Sequence, residues 1–433
     1  MKRALWQTLL AWKDHPLRNP LILRGPRQVG KSYLVEQLGK TFPNFVTINF
    51  ERDPKAKALF QDSKEANRLI RAISAYTGIS ITPGETLLFF DEVQECEGAI
   101  LSLRYFKEEM PALHVVAAGS LIDFALHCVG MPVGRVQFLY LHPLSFGEYL
   151  EALGKTELRR YLLNEPIEPA PHEKLLEELH HYCWLGGMPA VINAWREHQN
   201  AQYCQTIQDD ILQAYRQDFE KYAKKHQTAL VAQLFDQVGS QLGARFKYSK
   251  VNNSVRSQSL KEALNLLDKA GVVRIAYHTA AQGLPLSAEM DRQKFKVFFF
   301  DIGLLQRLQG LRLREWLLAP LSVTYLGAMA EQLVAQEYIA YSNPAQPIAL
   351  YYWQREAKQS NAEVDFIFSR ENLIIPAEVK SGSRGRLKSL ALFLASHPRS
   401  TEGLVISENM PWQQENFQGL PLYALERWFA EAS

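Results

Sequence analysis

Apolar residues fall into two recurring patterns along this chain. Runs of consecutive large apolar residues in "LILR" (21–24), "TLLFFD" (86–91) and "LHVVAA" (113–118) predict central strands covered on both faces. The first run leads through a glycine turn into the amphipathic helix "KSYLVEQLGK". From about Lys155 to Lys225, apolar residues recur every three or four positions, as in "LLEELHHYCWL" and "TIQDDILQAYRQDFEKYA". This predicts helices, with a loop at Pro166, Pro169 and Pro171. Next come a helix from about Ala229, a polar segment, a second helix near Ser257, a strand at "GVVRIAYH" and its continuation through "KFKVFFFD". That is the order of a winged helix-turn-helix. From about Tyr325 the pattern reads as a helix, a hairpin-like pair "ALYYWQRE" and "EVDFIFSR", the strand "LIIPAEVKSG" and a helix from about Arg386.

Composition adds bounds. The 433 residues, 47% hydrophobic and 22% charged, suffice for two or three cored domains. A net charge of +2 gives no overall basic signal, so any case for nucleic acid must rest on local clusters. The opening "MKRALWQTLLAWKDHP" is broken by Lys13 and Asp14 and lacks a small-residue cleavage site. No run reaches the roughly 18 apolar residues of a membrane span. Cys96, Cys128, Cys183 and Cys204 form no C-x-x-C pair. A cytoplasmic protein without membrane, disulfide framework or zinc site is the expectation. His180 and His181 are adjacent and cannot share a helical face, so a solvated or core role is expected, not metal ligation.

Chemistry enters at the first strand. Gly25, Gly30, Lys31 and Ser32 have the spacing G-x-x-x-x-G-K-[ST] of a phosphate-binding loop between strand and helix. The loop Gly25, Pro26, Arg27, Gln28, Val29, Gly30, with Lys31, Ser32 and Tyr33 opening the helix, is expected to hold ATP. Lys31 would reach the β and γ phosphates, and the Ser32 hydroxyl would ligate Mg²⁺. Asp91 and Glu92 end the second apolar run, where ligands bind in open α/β sheets. Asp91 is expected to hold Mg²⁺ through water and Glu92 to polarise the attacking water. Ser120, after the third run, is either a γ-phosphate sensor or a structural loop serine.

These residues resemble the AAA-type branch of the P-loop ATPases. "GRVQFLYLHPLSFGEYL" and "WLGGMPAVI" are similar, more narrowly, to segments of a prokaryotic family of such ATPases that carries a C-terminal domain of the restriction-endonuclease-like class. The resemblance runs from Leu21 to about Ile406. It implies an α/β fold: a P-loop AAA-type core (1–150), a helical lid (151–226), a winged helix-turn-helix (227–310) and a restriction-endonuclease-like domain (311–433). Within it Arg135 is the candidate nucleotide-sensing or finger arginine, against the plainer role of a surface ion-pair partner.

The C-terminal acids have the order of the nuclease-like class: Glu331 in an apolar helix face, Asp365 interrupting a strand, then Glu378-x-Lys380. Asp365 and Glu378 would ligate Mg²⁺, Glu331 would position it or its water, and Lys380 would orient the attacking hydroxide. Arg355, Lys358, Arg384, Arg386 and Lys388 are expected to contact phosphate, as are Arg245, Lys247, Lys250, Arg256 and Lys261 around the recognition helix. The expectation is therefore an ATPase acting on nucleic acid, taken first as DNA, with a homo-oligomer left open. The rival is a nucleotide-dependent protein-interaction switch with a silent nuclease-like domain. A third reading is a nucleic-acid binder with slow ATPase activity and no cleavage.

Overall fold

The computed structural model describes residues 1–61, 65–129, 134–311, 323–355, 362–370, 372–380 and 387–430. Its N-terminal part alternates helix and strand: α1 (Leu5–Asp14), β1 (Leu21–Arg24), α2 (Lys31–Gly39), β2 (Asn44–Asn49), α3 (Ala66–Thr77), β3 (Thr86–Asp91), α4 (Glu97–Glu109), β4 (His114–Ala118), α5 (Ile122–Val129) and β5 (Gln137–Tyr140). The five strands form one parallel sheet in the order β2-β3-β4-β1-β5. Alternate residues divide between two cores, because successive side chains leave opposite faces of a strand. Ile22, Leu88, Phe90, Val115 and Ala117 enter the core under α3 and α4. Leu21, Leu23, Leu87, Phe89 and Val116 enter a second core that runs on through much of the rest of the chain, apart from a smaller C-terminal cluster around Trp353, Ile367 and Phe393. The consecutive apolar runs are thus two interleaved half-buried faces, and each large side chain contributes about 1.5–3 kcal/mol by leaving water.

The helical segment comprises α6 (Phe146–Ala152), α7 (Thr156–Asn164), α8 (Pro169–Leu185), α9 (Pro189–His198) and α10 (Ala201–Tyr222). Pro169 and Pro171 do not mark a loop; they open α8. The first turn of a helix has no intrahelical use for its N–H groups, so proline costs nothing there. His180 bonds to Glu408 at 2.8 Å and the His181 ring lies against Trp195. Among the described residues no helix is long and apolar enough to cross a membrane.

Helices α11 (Thr228–Gln237), α12 (Tyr248–Val251) and α13 (Ser257–Lys269) precede antiparallel β6 (Val273–Thr279) and β7 (Met290–Phe299), then α14 (Ile302–Leu308) and α15 (Val323–Tyr341). The chain continues through β8 (Leu350–Gln354), β9 (Glu363–Val364), β10 (Phe366–Arg370), β11 (Leu373–Val379), α16 (Lys388–Ser396), β12 (Gly403–Ser407), β13 (Trp412–Gln414), β14 (Phe417–Pro421) and α17 (Leu425–Ala430). Here the structure departs from the expected layout. β8 pairs with β9, as the hairpin reading requires, but also runs parallel to β6, giving a sheet β7-β6-β8-β9 that crosses the expected boundary at 310/311. β10 belongs to a second sheet, β10-β11-β12-β14-β13. Asp365 sits between β9 and β10, where the chain passes from one sheet to the other.

α15 is held by polar side chains. Gln332 accepts from Phe299 N at 2.8 Å and donates to Phe299 O at 2.7 Å, satisfying the edge of β7. Gln336 accepts from Ile302 N, and Glu337 accepts from Phe146 N at 3.0 Å and from the Tyr182 hydroxyl at 2.9 Å. Ser145 caps α6 in a capping box with Glu148, worth about 1 kcal/mol. Burial raises the Glu337 carboxyl to about 8, against the bond from Phe146 N. A folded-state pKa above the unfolded one means that the folded chain holds a proton the unfolded chain has released. This contribution to stability is full below about pH 4.5 and is lost as pH rises through about 8, a change on the order of 5 kcal/mol. Glu337→Gln should therefore flatten the fall of melting temperature between pH 5 and 8. An unchanged slope in that variant would contradict a protonated Glu337.

Candidate nucleotide and acidic sites

β1 delivers the chain to a turn that needs left-handed backbone: Gly25 has φ 142°, Gln28 φ 65° and Gly30 φ 94°. A Cβ on Gly25 would lie 2.0 Å from Leu141 O, so glycine is required by space as well as by backbone. Lys31, the first residue of α2, is 8% exposed, and its ammonium donates to Gly25 O and Pro26 O, both at 2.8 Å. Burial lowers its pKa to about 8, with Glu92 and Asp91 opposing. The Ser32 hydroxyl lies 3.0 Å from both Asp91 oxygens, and Asn49, the β2 register partner of Asp91, donates to Oδ2 at 2.9 Å. A hydroxyl and a carboxylate side by side form the hard oxygen donor set that Mg²⁺ selects, so the residues fit that ion.

Glu92 follows at φ 49°, a strained conformation for a non-glycine residue. Gln94 donates to Glu92 Oε2 at 2.6 Å, and its amide oxygen lies 2.0 Å from where a Cβ on Gly119 would stand. Gly119 thus makes room for the side chain that fixes Glu92. Ser120, next in the chain, lines a cleft of about 290 Å³ with Gly25, Tyr140, Gly271 and Arg274, which brings it to the loop's edge of the sheet.

The loop is also tied outward. Arg27 is ion-paired with Asp218 of α10, and the Tyr215 hydroxyl donates to Arg27 O at 2.7 Å. Val29 is fully buried, and its carbonyl accepts from Arg3 at 2.9 Å. Gln28 and Tyr33 are exposed. Arg3, Asn49, Gln94, Tyr215 and Asp218 went unread in the sequence because no short motif marks them; only contact across distant elements does. For Arg135 the structure supports the plainer of its two expected roles, the surface ion-pair partner. It is bonded to Glu108 near the end of α4, just before β5, and so lies at the amino edge of the parallel sheet, opposite the loop. It cannot serve the nucleotide site of its own chain.

α13 buries Leu260, Ala263, Leu264 and Leu267 against α11 and leaves Lys261 outward. Arg245, Lys247, Lys250, Arg256 and Lys261 are all exposed, and within the described residues none is ion-paired. Of the basic residues expected near the C-terminal acids, Arg355 and Lys388 are described, whereas Lys358, Arg384 and Arg386 lie outside the described residues.

The C-terminal acids do come together, but around a residue the sequence reading missed. Lys296 of β7, 1% exposed, places its ammonium 3.0 Å from Glu331, 2.6 Å from Glu363 and 3.5 Å from Asp365. The four-stranded sheet is thus curled enough for a side chain of one edge strand to reach the other edge. The three acids hold the Lys296 pKa above its ordinary value although burial opposes them. Burial pushes the Glu331 pKa up, with Lys296 opposing. Glu378 and Lys380 form their own ion pair, and Val379 N, between them, donates to Asp365 Oδ2 at 2.8 Å. Glu378 Oε2 is buried without a partner, and burial raises the Glu378 pKa, Lys380 opposing and Asp365 adding repulsion. That orphan oxygen suits a metal ligand. The other expected ligands already hold an ammonium, and in this arrangement the set as a whole does not fit a divalent ion. Two signals were present in the sequence: a lysine inside the apolar run "FKVFFF", and Glu363 two residues before Asp365.

Residues 17–150 match the AAA domain family, residues 176–315 a domain of unknown function (DUF8612) and residues 326–425 a domain of unknown function (DUF4143). No curated protein matches the chain. Among solved structures, a Walker-type ATPase of Pyrococcus abyssi overlays with a TM-score of 0.45 at 14% identity, over 70% of this chain and 94% of that one. A signal-transduction ATPase with a tetratricopeptide-repeat sensor, from Pyrococcus horikoshii, overlays with a TM-score of 0.27 at 12% identity, over 76% of this chain and 47% of that one. Neither overlay is close enough to carry function across. The N-terminal part matches the AAA domain family over residues 17–150 and combines a five-stranded parallel sheet with a phosphate-binding type of loop after β1.

Proposed function

We propose that the chain is a Mg²⁺-dependent ATPase whose nucleotide state controls its binding to nucleic acid, DNA in the first instance. The observation that carries the ATPase reading is the Ser32 hydroxyl at 3.0 Å from Asp91, beside the buried ammonium of Lys31. Lys31 exchanges its two carbonyl partners for the β and γ phosphates. Glu92, steadied by Gln94, orients the attacking water and takes its proton. Mg²⁺, when bound at Ser32 and Asp91, supplies charge to the phosphoryl oxygens. The Arg27 pair with Asp218 and the Tyr215 bond to Arg27 O give α10 a direct hold on the loop, so a change in the loop moves the lid.

The nucleic-acid part of the reading rests on the five exposed basic residues from Arg245 to Lys261, on a module with the element order of a winged helix. Reversing Lys247 and Arg256 to glutamate should weaken DNA binding alike for all sequences and reduce the slope of log affinity against log salt by about 2. Unchanged binding would leave this face a packing surface. For the C-terminal acids, cleavage by Asp365, Glu378 and Lys380 is the first reading of the residue set. The ammonium of Lys296 favours the second, a nuclease-like domain that is silent in this arrangement.

A further inference from the structure

We infer that Lys296 is the resident cation of the C-terminal acidic site and that β7, through it, holds the site shut to divalent metal. The ammonium is in contact with carboxylates from three places, Glu331 on α15, Glu363 on β9 and Asp365 at the sheet junction, and so occupies the side of the site that Asp365 and Glu331 would offer a metal. At 1% exposure it has no route to water, and a second cation among the same oxygens would meet its full repulsion.

The contact is built into the fold. Three residues beyond Lys296 on β7, Phe299 is bonded through both its N–H and its carbonyl to the Gln332 amide, which neighbours Glu331 on α15. Glu331 is backed by Gly243, where a Cβ would lie 3.0 Å from its Oε1. A Tyr352 ring 5.4 Å from the ammonium covers another side. Strand, helix and lysine therefore move together, and metal can enter only if β7 leaves α15. Glu378 Oε2, buried and unpartnered, is the part of the site that Lys296 does not reach. The inference depends on the nuclease-like reading only for the expectation that a metal belongs there.

Chain scission by ferrous iron with ascorbate reports where a divalent ion sits and requires neither nucleic acid nor cleavage activity. A missing nuclease activity therefore leaves its result untouched. In the nucleotide-free wild type, no fragments should end near residues 331, 363–365 or 378. In Lys296→Met such fragments should rise at least about tenfold and vanish again when Asp365→Ala is added. The single variant leaves three half-buried acids without a cation and can fail to fold. Lys296→Met with Glu331→Gln removes one charge of each sign and should give the same cuts in a folded chain. Wild-type cutting as strong as in the variants would show that Lys296 keeps no metal out. A folded double variant without cuts would show that the lysine stands in for no metal. Either result overturns the inference.

Discussion

Replacing Lys31 by alanine is expected to weaken ATP binding about 100- to 1000-fold and to remove measurable hydrolysis. Two charge-assisted contacts to the phosphates, each worth about 1.5–3 kcal/mol, are lost, and each 1.4 kcal/mol is a factor of ten. The ligand-free arrangement moderates this figure, because Lys31 must first give up Gly25 O and Pro26 O. In the variant those two carbonyls lose their buried donor, so a small loss of stability without nucleotide should accompany the loss of affinity. Equilibrium titration with a fluorescent ATP analogue measures the first effect and thermal unfolding the second. Affinity within a factor of three of wild type would remove the loop from nucleotide binding.

Glu92→Gln should separate binding from turnover. The amide keeps the size and the Gln94 neighbour but cannot take a proton, so hydrolysis should fall about 100- to 10,000-fold while ATP affinity stays near wild type. The strained backbone at Glu92, φ 49°, is unchanged by the substitution and should hold the side chain in place. Single-turnover hydrolysis beside equilibrium binding makes the comparison. Equal loss of both would mean that Glu92 shapes the pocket without entering the chemistry.

Local signals were legible in the sequence and long-range ones were not. The strand, glycine turn and helix around Gly25 to Ser32 follow from rules acting over a few residues, and the same holds for β3 with Asp91 at its end. The proline cluster misled because proline breaks a helix inside yet suits its first turn, and Pro169 occupies that turn. Arg135 stayed open between two roles because position along the chain does not say at which edge of a sheet a residue emerges; its place just before β5 and its pair with Glu108 do. Glu331, Asp365 and Glu378 were found as charges in apolar settings. Lys296 has the same signature, but its segment "KFKVFFFD" was read only as a continuation of the wing. Only the curl of the sheet β7-β6-β8-β9 brings it to the acids. Gln332, Gln336 and Glu337 were likewise passed over, since a polar residue on a helix looks solvated until its backbone partner is known.

The claim that nucleotide state governs nucleic-acid binding is tested most directly with Glu92→Gln as an ATP-trapped form. Fluorescence anisotropy of a labelled DNA duplex and single strand should be recorded at one fixed salt concentration with Mg²⁺·ATP, with Mg²⁺·ADP and without nucleotide. The link from Arg27 through Asp218 to α10 predicts at least a tenfold difference in DNA affinity between the ATP-held and ADP-held forms, lost when Asp218 is replaced by alanine. Equal affinity in all three states, with DNA bound, would contradict the account.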